Sequence, residues 1–471
     1  MNFATKNIDI SIIDVFIILS DDINNINLKE ICTNTKKSFL PVLNKPLLFY
    51  QLEFLERQNI KQVSLIILKN DINNVKKVVS TYAGSIKIDY IKLSEYEGIE
   101  IFSTIKKKIT KTNFILIEAD SILSFDLEGM IDNHIDNNNL VTMILQKKET
   151  ELNKMKFLRD DAIDAFGIDY DDNNRVVYYH KKKAGDTEHL ILNKKIFKRF
   201  SKFNLVMNYI DLGFYIFNSS IFDIVENLKQ KVENEKKDKK KDKLTEMANN
   251  IREGFIPFLI HKTFSKDLNM ILIEKYNNQL LKANRVKIGA KIIDNEKDIN
   301  SEFCYKIYDY PCYLNIIEEI HKPYDEIKPI FFQTKNNIKN YFCKFSEKIR
   351  ENLENKKKFN DGIPELECIS ADSYLVEGTN IIEKGVILNK TVANENLKVE
   401  EGSKVLSCII GEGSVIGKNC IIKNCVLGKS CVIGDGSSIE ECIIADNYKI
   451  EEKSNFSQKT LSQENENLDY N

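Results

Sequence analysis

No glycine occurs before Gly84 in this chain of 471 residues. A phosphate cradle made of glycines, whose bare backbone lets N–H groups approach the anion, is therefore excluded from the first part of the sequence. The ten cysteines include no CxxC pair. The five histidines, His134, His180, His189, His261 and His321, include no two at metal-ligand spacing. That pattern argues against a zinc site. A chain of this length builds a core without staples, so a disulfide framework is not expected either. No apolar run reaches the roughly 18 residues needed to cross a bilayer. Val15–Leu19 is too short for a secretory segment and lacks a basic flank with a small-residue cleavage site. Cytosol is the expected compartment. The net charge of -2 and pI near 6.3 provide no basic face for general nucleic-acid binding.

What is present is a globular composition, 42% hydrophobic and 29% charged, enough for roughly two or three domains. Glycine divides the chain, since ten of its 18 glycines follow residue 361. The N-terminal part alternates short apolar runs with segments of helical spacing. Strands are expected at Phe16–Leu19, Val63–Leu68, Ile86–Ile91, Phe114–Ala119 and Val141–Leu145, and later at Gly167–Tyr170, Val176–Tyr179 and Leu212–Phe217. Lys45–Arg57, with Leu48, Leu52 and Leu55 on one face, and Ile72–Thr81 read as helices. This alternation implies an α/β domain with a mostly parallel sheet, over residues 1–320. The Lys/Glu/Asp run at 229–243 reads as a solvated insertion. Residues 321–365 read as a polar linker and 456–471 as a polar tail.

The segment 366–455 carries the clearest pattern. Aliphatic residues return every six positions: Val376 and Ile382, Val399 and Val405, then Ile410, Ile416 and Ile422. The count slips by one to Leu427, followed by Ile433 and Ile439, and again to Ile444, followed by Ile450. Each coil of three strands thus takes 17 residues. Cys408, Cys425 and Cys442 repeat at that interval and should stack as small packing residues, with Cys420 and Cys431 in equivalent places. Gly411, Gly417, Gly428 and Gly434 follow inward aliphatic residues, where they are expected to permit corner backbone. This is the hexapeptide pattern of a left-handed parallel β-helix. Acyltransferases on that scaffold use a histidine of the helix, and no histidine lies beyond His321.

The stretch Phe39-Leu40-Pro41-Val42-Leu43-Asn44-Lys45-Pro46-Leu47-Leu48, with the helix that follows, resembles a signature of the sugar-nucleotide nucleotidyltransferases. By that resemblance Lys37 matches the family lysine, although Lys36 stands where proline is usual. Asp120, ending Phe114–Asp120, matches the metal-binding aspartate, and Asp211 in Tyr209-Ile210-Asp211 matches the second metal position. The family implies a Rossmann-like nucleotidyltransferase domain followed by a left-handed β-helix, and a reaction run on Mg²⁺ and cationic side chains. It also implies a glycine-rich loop after the first strand. Here Ser20-Asp21-Asp22-Ile23-Asn24-Asn25 stands in its place, with no glycine, no arginine and two carboxylates facing where a triphosphate would dock. Like charges at contact cost several kcal/mol even at an effective dielectric of about 20. Gly98 survives as a second family glycine, followed by Ile99-Glu100 in place of hydroxyl-bearing neighbours. Asp120, Asp211 and Lys37 are accordingly read as vestigial, and no catalytic, cofactor-binding or metal-binding residue is assigned.

A nucleotidyltransferase-like domain without its loop, joined to a β-helix, resembles the subunits of that type in the guanine-nucleotide exchange factor initiation factor 2B. The gamma type is the closer likeness, through Asp164-Ala165-Phe166-Gly167-Ile168-Asp169, Gly254-Phe255-Ile256-Pro257-Phe258-Leu259-Ile260 and Cys304–Glu319. The epsilon type carries an all-helical catalytic domain after its β-helix, whereas this sequence stops at Asn471, shortly after Ile450. The resemblance implies a non-catalytic scaffold or regulatory subunit that pairs with an epsilon-like catalytic subunit. It implies further contacts with alpha, beta and delta subunits and with translation initiation factor 2, and none with nucleic acid or membrane. The competing readings are an active sugar-nucleotide pyrophosphorylase of the mannose-1-phosphate guanylyltransferase kind, or its inactive regulatory subunit.

Overall fold

The computed structural model describes residues 13–19, 28–32, 36–94, 100–148, 163–182, 192, 194–198, 200, 202–237, 251–262, 286–294, 302–321, 373–376 and 379–463. The Ser20–Asn25 segment, Gly98, Ile99 and most of the expected linker lie outside them. The chain forms two compact units. One draws on the spans 1–20, 51–148 and 161–305; the other draws on 21–50, 149–160 and 306–471. A stretch that follows the first strand thus groups with the C-terminal coils.

The first unit is built on one sheet of ten strands. They are β1 (Ile13–Ile18), β2 (Gln62–Leu68), β3 (Lys87–Leu93), β4 (Asn113–Glu118), β5 (Val141–Lys147), β6 (Ile163–Asp169), β7 (Arg175–Lys182), β8 (Asn204–Val206), β9 (Tyr209–Asn218) and β10 (Ile288–Ile293). Their order across the sheet is β8-β6-β7-β10-β5-β9-β4-β1-β2-β3. Strands β3, β2, β1 and β4 are parallel, as the alternation of helix and strand demands. β9 runs antiparallel between β4 and β5, and β6, β7 and β8 pair antiparallel at the far side. The sheet is thus mixed, and "mostly parallel" holds for one half only. The sequence reading missed β8, which is very short, and β10, and it placed β6 too far along the chain.

Burial explains the strand sequences. Phe114, Ile115, Leu116 and Ile117 of β4 are all fully buried, because a central strand covered on both faces needs an unbroken apolar run. Phe102 on the helix Glu100–Lys106 packs its ring against Phe114, Phe217 and Phe255 at centroid distances of 6.4, 5.2 and 5.1 Å. The helix Ile221–Lys237 carries the chain into the lysine-rich run, so the first part of that run is helical.

The second unit contains the coils, with three parallel sheets of six, five and five strands. Ile409, Val426 and Ile443 pair in register at the expected 17-residue step, as do Val415 with Val432 and Ile421 with Ser438. This is the left-handed hexapeptide β-helix that the period specifies. The stack continues through Asn455–Ser457 and Thr460–Leu461, past the expected end at 455. Gly411 and Gly428 answer a need other than corner conformation. A β-carbon on Gly411 would lie 2.4 Å from the carbonyl oxygen of Gly428 on the next coil, so these glycines allow close approach. The left-handed corners fall instead at Gly385, Gly402, Gly413 and Gly436, and at Asn396, Asn419 and Asn447.

One sheet of the stack has an outward row, Val392, Ile409, Val426 and Ile443, that is apolar and buried. The short helix Lys29–Cys32 lies against Ile443–Ile444, and the Asp446 N–H donates to the Glu30 carbonyl at 3.4 Å. Tyr310 and Tyr313, on the helix Tyr310–His321, donate to the Glu30 carboxylate at 2.7 Å and the Pro41 carbonyl at 2.6 Å. The family-signature stretch is in this way tied into the coil unit.

Candidate functional site

In an open α/β sheet, ligands bind beyond the carboxyl ends of the strands where the strand order reverses. Here the chain proceeds β1, β2, β3 toward one edge and then returns to place β4 on the other side of β1. The reversal lies between β1 and β4, whose ends, Ile18 and Glu118, are paired in register. Glu118, Ala119 and Asp120 leave the sheet at that point, with the Asp120 N–H turned back on the Glu118 carbonyl at 2.9 Å. Gln51, fully buried, clamps this turn by donating to the carbonyls of Glu118 and Ser121 at 3.1 and 3.0 Å.

Asp211 reaches the same place from β9. Pairing of β9 with β5 changes register between Asp211 and Tyr215, and this bulge contains Gly213 at φ +73°. Both oxygens of Asp211 are engaged within its own strand. Oδ1 accepts from the Gly213 N–H at 2.9 Å, and Oδ2 accepts from the Tyr215 hydroxyl at 2.6 Å. Burial and the carboxylates Asp211 and Glu118 push the Tyr215 phenol well above its ordinary range.

Between these carboxylates stands Arg252, on a π-helical turn, Ile251–Phe255, that leads into the helix Ile256–Lys262. Its Nη1 donates to Asp120 Oδ2 at 3.4 Å, and its Nη2 approaches the two Asp120 oxygens at 3.3 and 3.5 Å. Nη2 also donates to Glu118 Oε2. The side chain retains 14% of its exposure. Burial opposes the charge on Arg252. The attractions of Glu118 and Asp120, then of Asp211, outweigh it and hold the guanidinium protonated. Each such contact is worth about 4 kcal/mol of Coulomb energy at 4 Å and an effective dielectric of 20, before desolvation is subtracted. Gly213 makes room for this arrangement, since a β-carbon there would lie 2.4 Å from Arg252 Nη2 and 2.8 Å from Glu118 Oε2.

The structure brings Asp120 and Asp211 together, as the family resemblance implies, but around a cation that belongs to the chain. A divalent ion needs lone pairs directed at an open position. Here the Asp120 oxygens face the Arg252 guanidinium and the Asp211 oxygens face the Gly213 N–H and the Tyr215 hydroxyl, so the donor set does not fit the metal that a nucleotidyltransferase site would hold. Lys37 lies in the second unit, on the turn Lys37–Phe39. Asp21, Asp22 and Gly98 are outside the described residues. Sequence reasoning missed Glu118, Tyr215 and Arg252. The available signal was an arginine in a chain whose basic residues are mostly lysine, two positions before the Gly254–Ile260 phrase.

Two family models match the chain. The nucleotidyl transferase family model matches residues 27–255, and the model described as the GMPPB C-terminal domain matches residues 366–461. The chain is 26% identical over 221 residues to "Translation initiation factor eIF2B subunit gamma" of Dictyostelium discoideum, an alignment covering 44% of this chain and 50% of that protein. It is 31% identical over 147 residues to "D-glycero-alpha-D-manno-heptose 1-phosphate guanylyltransferase" of Aneurinibacillus thermoaerophilus, covering 30% and 61% respectively. The chain thus spans only about half to three-fifths of each relative's length. Residues 27–255 are thus similar to nucleotidyl transferases, and the chain has homology at moderate identity to the gamma subunit of that initiation factor.

Proposed function

We propose that this chain, a nucleotidyltransferase domain joined to a hexapeptide β-helix, is a non-catalytic scaffold or regulatory subunit of a cytosolic guanine-nucleotide exchange complex of the initiation factor 2B kind. In this role it pairs with an epsilon-like catalytic subunit, assembles with alpha, beta and delta subunits, and contacts translation initiation factor 2. The observation that carries the non-catalytic half is Arg252 seated on Glu118 and Asp120, where nucleotidyl transfer would need an exchangeable cation. Asp120 and Asp211 then act as structural anions. The similarity to the Dictyostelium subunit supports the choice of complex. Among the described residues no helix is long and apolar enough to cross a membrane.

The bacterial guanylyltransferase and the C-terminal family match favour a second reading, a pyrophosphorylase or its silent partner. Purification of the tagged full chain from its native cells separates the two. Recovery of initiation factor 2 with the other exchange-factor subunits is expected. Recovery of a sugar-nucleotide pyrophosphorylase in their place would overturn the proposal. Pyrophosphate release by the recombinant chain, from any nucleoside triphosphate with a hexose 1-phosphate, is expected to stay at background.

A further inference from the structure

We infer that Arg252 is a tethered substitute for a divalent cation, closing the carboxylate cluster at the end of β4 to metal ions. Glu118 at the end of β4, Asp120 in the turn after it and Asp211 on β9 gather beside one guanidinium. Buried anions of this kind require positive charge nearby, either a metal ion or a side chain. Arg252 supplies it covalently. A metal ion exchanges with solvent and keeps positions open for a substrate oxygen; a guanidinium offers donors only and cannot leave.

Three features show that the cation is built in. Both terminal nitrogens of Arg252 are directed at Asp120, and one also at Glu118. Asp211 has turned its oxygens to Gly213 and Tyr215. Gly213 leaves open the volume that Nη2 fills. A divalent ion entering this cluster would sit against a like charge that has nowhere to go. The inference rests only on the non-catalytic half of the proposed function, and a different set of partners would leave it untouched.

Manganese(II) is the probe, read on the full chain by electron paramagnetic resonance and by thermal unfolding with and without the ion. The wild-type protein is expected to show no Mn²⁺ binding that depends on Asp120 and no shift in its melting temperature. Arg252→Ala removes the internal cation and should melt about 10 °C lower. Added Mn²⁺ should restore part of that loss, and the further change Asp120→Asn should abolish the restoration. If Arg252→Ala does not accumulate as folded protein, refolding it with and without Mn²⁺ gives the same readout, and only recovery in the ion's presence agrees with the inference. Asp120-dependent Mn²⁺ binding by the wild type would overturn it. So would an Arg252→Ala protein on which Mn²⁺ has no effect.

Discussion

The coil stack and the carboxylate cluster solve the same problem, satisfying buried polar groups, in opposite ways. In the coils one solution is repeated at each step of 17 residues. A hydroxyl or thiol at the corner donates to a carbonyl one coil on, as from Ser403 to Gly417 at 2.6 Å, Ser414 to Gly428 at 3.1 Å and Cys431 to Ala445 at 3.2 Å. In the cluster the solution occurs once, and it needs Glu118, Asp120, Asp211, Tyr215 and Arg252 together. Repetition makes the coils tolerant and periodic. Uniqueness makes the cluster fragile and invisible to any period.

Glycines test how far tolerance extends in the coils. Gly411→Ala would drive a methyl into the backbone of Gly428 and Lys429 on the next coil, where neither atom can turn aside. A loss of about 3 kcal/mol is expected in denaturant unfolding. Gly413→Ala meets only the Ser430 hydroxyl at 3.4 Å, but it must hold φ near +72°. The expected cost there is about 1 kcal/mol. Equal costs at the two positions would refute the distinction between close approach and corner conformation.

The cluster should show its fragility at Tyr215. Tyr215→Phe keeps the packing but removes the hydrogen bond to Asp211 Oδ2, leaving a buried carboxylate oxygen without that donor. A charged acceptor that loses its partner in this way costs about 2–3 kcal/mol. A change under about 0.5 kcal/mol, the level of an ordinary surface substitution, would mean that the network is not cooperative.

His134 gives the α/β unit a pH signature that the coils lack. Its Nδ1 lies 2.8 Å from Thr142 Oγ1, and burial holds the imidazole down to about 3. The unfolded chain takes up a proton on this residue below its ordinary value near 6.5, while the folded chain does not. Stability from this source is complete above that value and declines as the pH falls toward 3. Between pH 7 and pH 5 the loss is about 2 kcal/mol. Unfolding free energies of the wild type and His134→Gln across this range should differ in slope by that amount, and parallel profiles would remove His134 as the cause.

The same contrast accounts for what could be read from residues alone. The inward row from Val399 to Ile450 was legible because each coil states the pattern again, and every one of those residues is buried. The parallel strands β1, β2 and β4 were legible as predominantly apolar runs. β8 was not, because three residues, Asn204–Val206, are too few to show alternation. Asp120 and Asp211 were found through family likeness, but no local feature announces that Arg252 neutralises them. That pairing spans 132 residues of sequence and exists only once the sheet has formed. The grouping of Lys29–Cys32 with the coil at Ile443 was hidden for the same reason.

The smallest expected effect is the most discriminating test of repetition. Cys408, Cys425 and Cys442 occupy one corner on successive coils, and the N–H groups of Cys425 and Cys442 each point at the sulfur one coil back, at 3.4 Å. Burial, foremost, and the neighbouring Cys408 push the Cys425 thiol up, so it stays protonated and donates to the Lys423 and Ile439 carbonyls at 3.0 and 3.6 Å. Thr391 stands one coil before Cys408 in the same column and makes the equivalent bond to the Val405 carbonyl at 3.2 Å. A hydroxyl therefore already serves at this corner. Cys425→Ser should change stability by less than about 1 kcal/mol, because one small donor replaces another. Cys425→Val, similar in bulk but without a donor, should cost more, about 1–2 kcal/mol, by leaving carbonyls and an N–H without their sulfur partner. The reverse ranking would show that apolar packing alone governs this column and that the corner bonds contribute nothing.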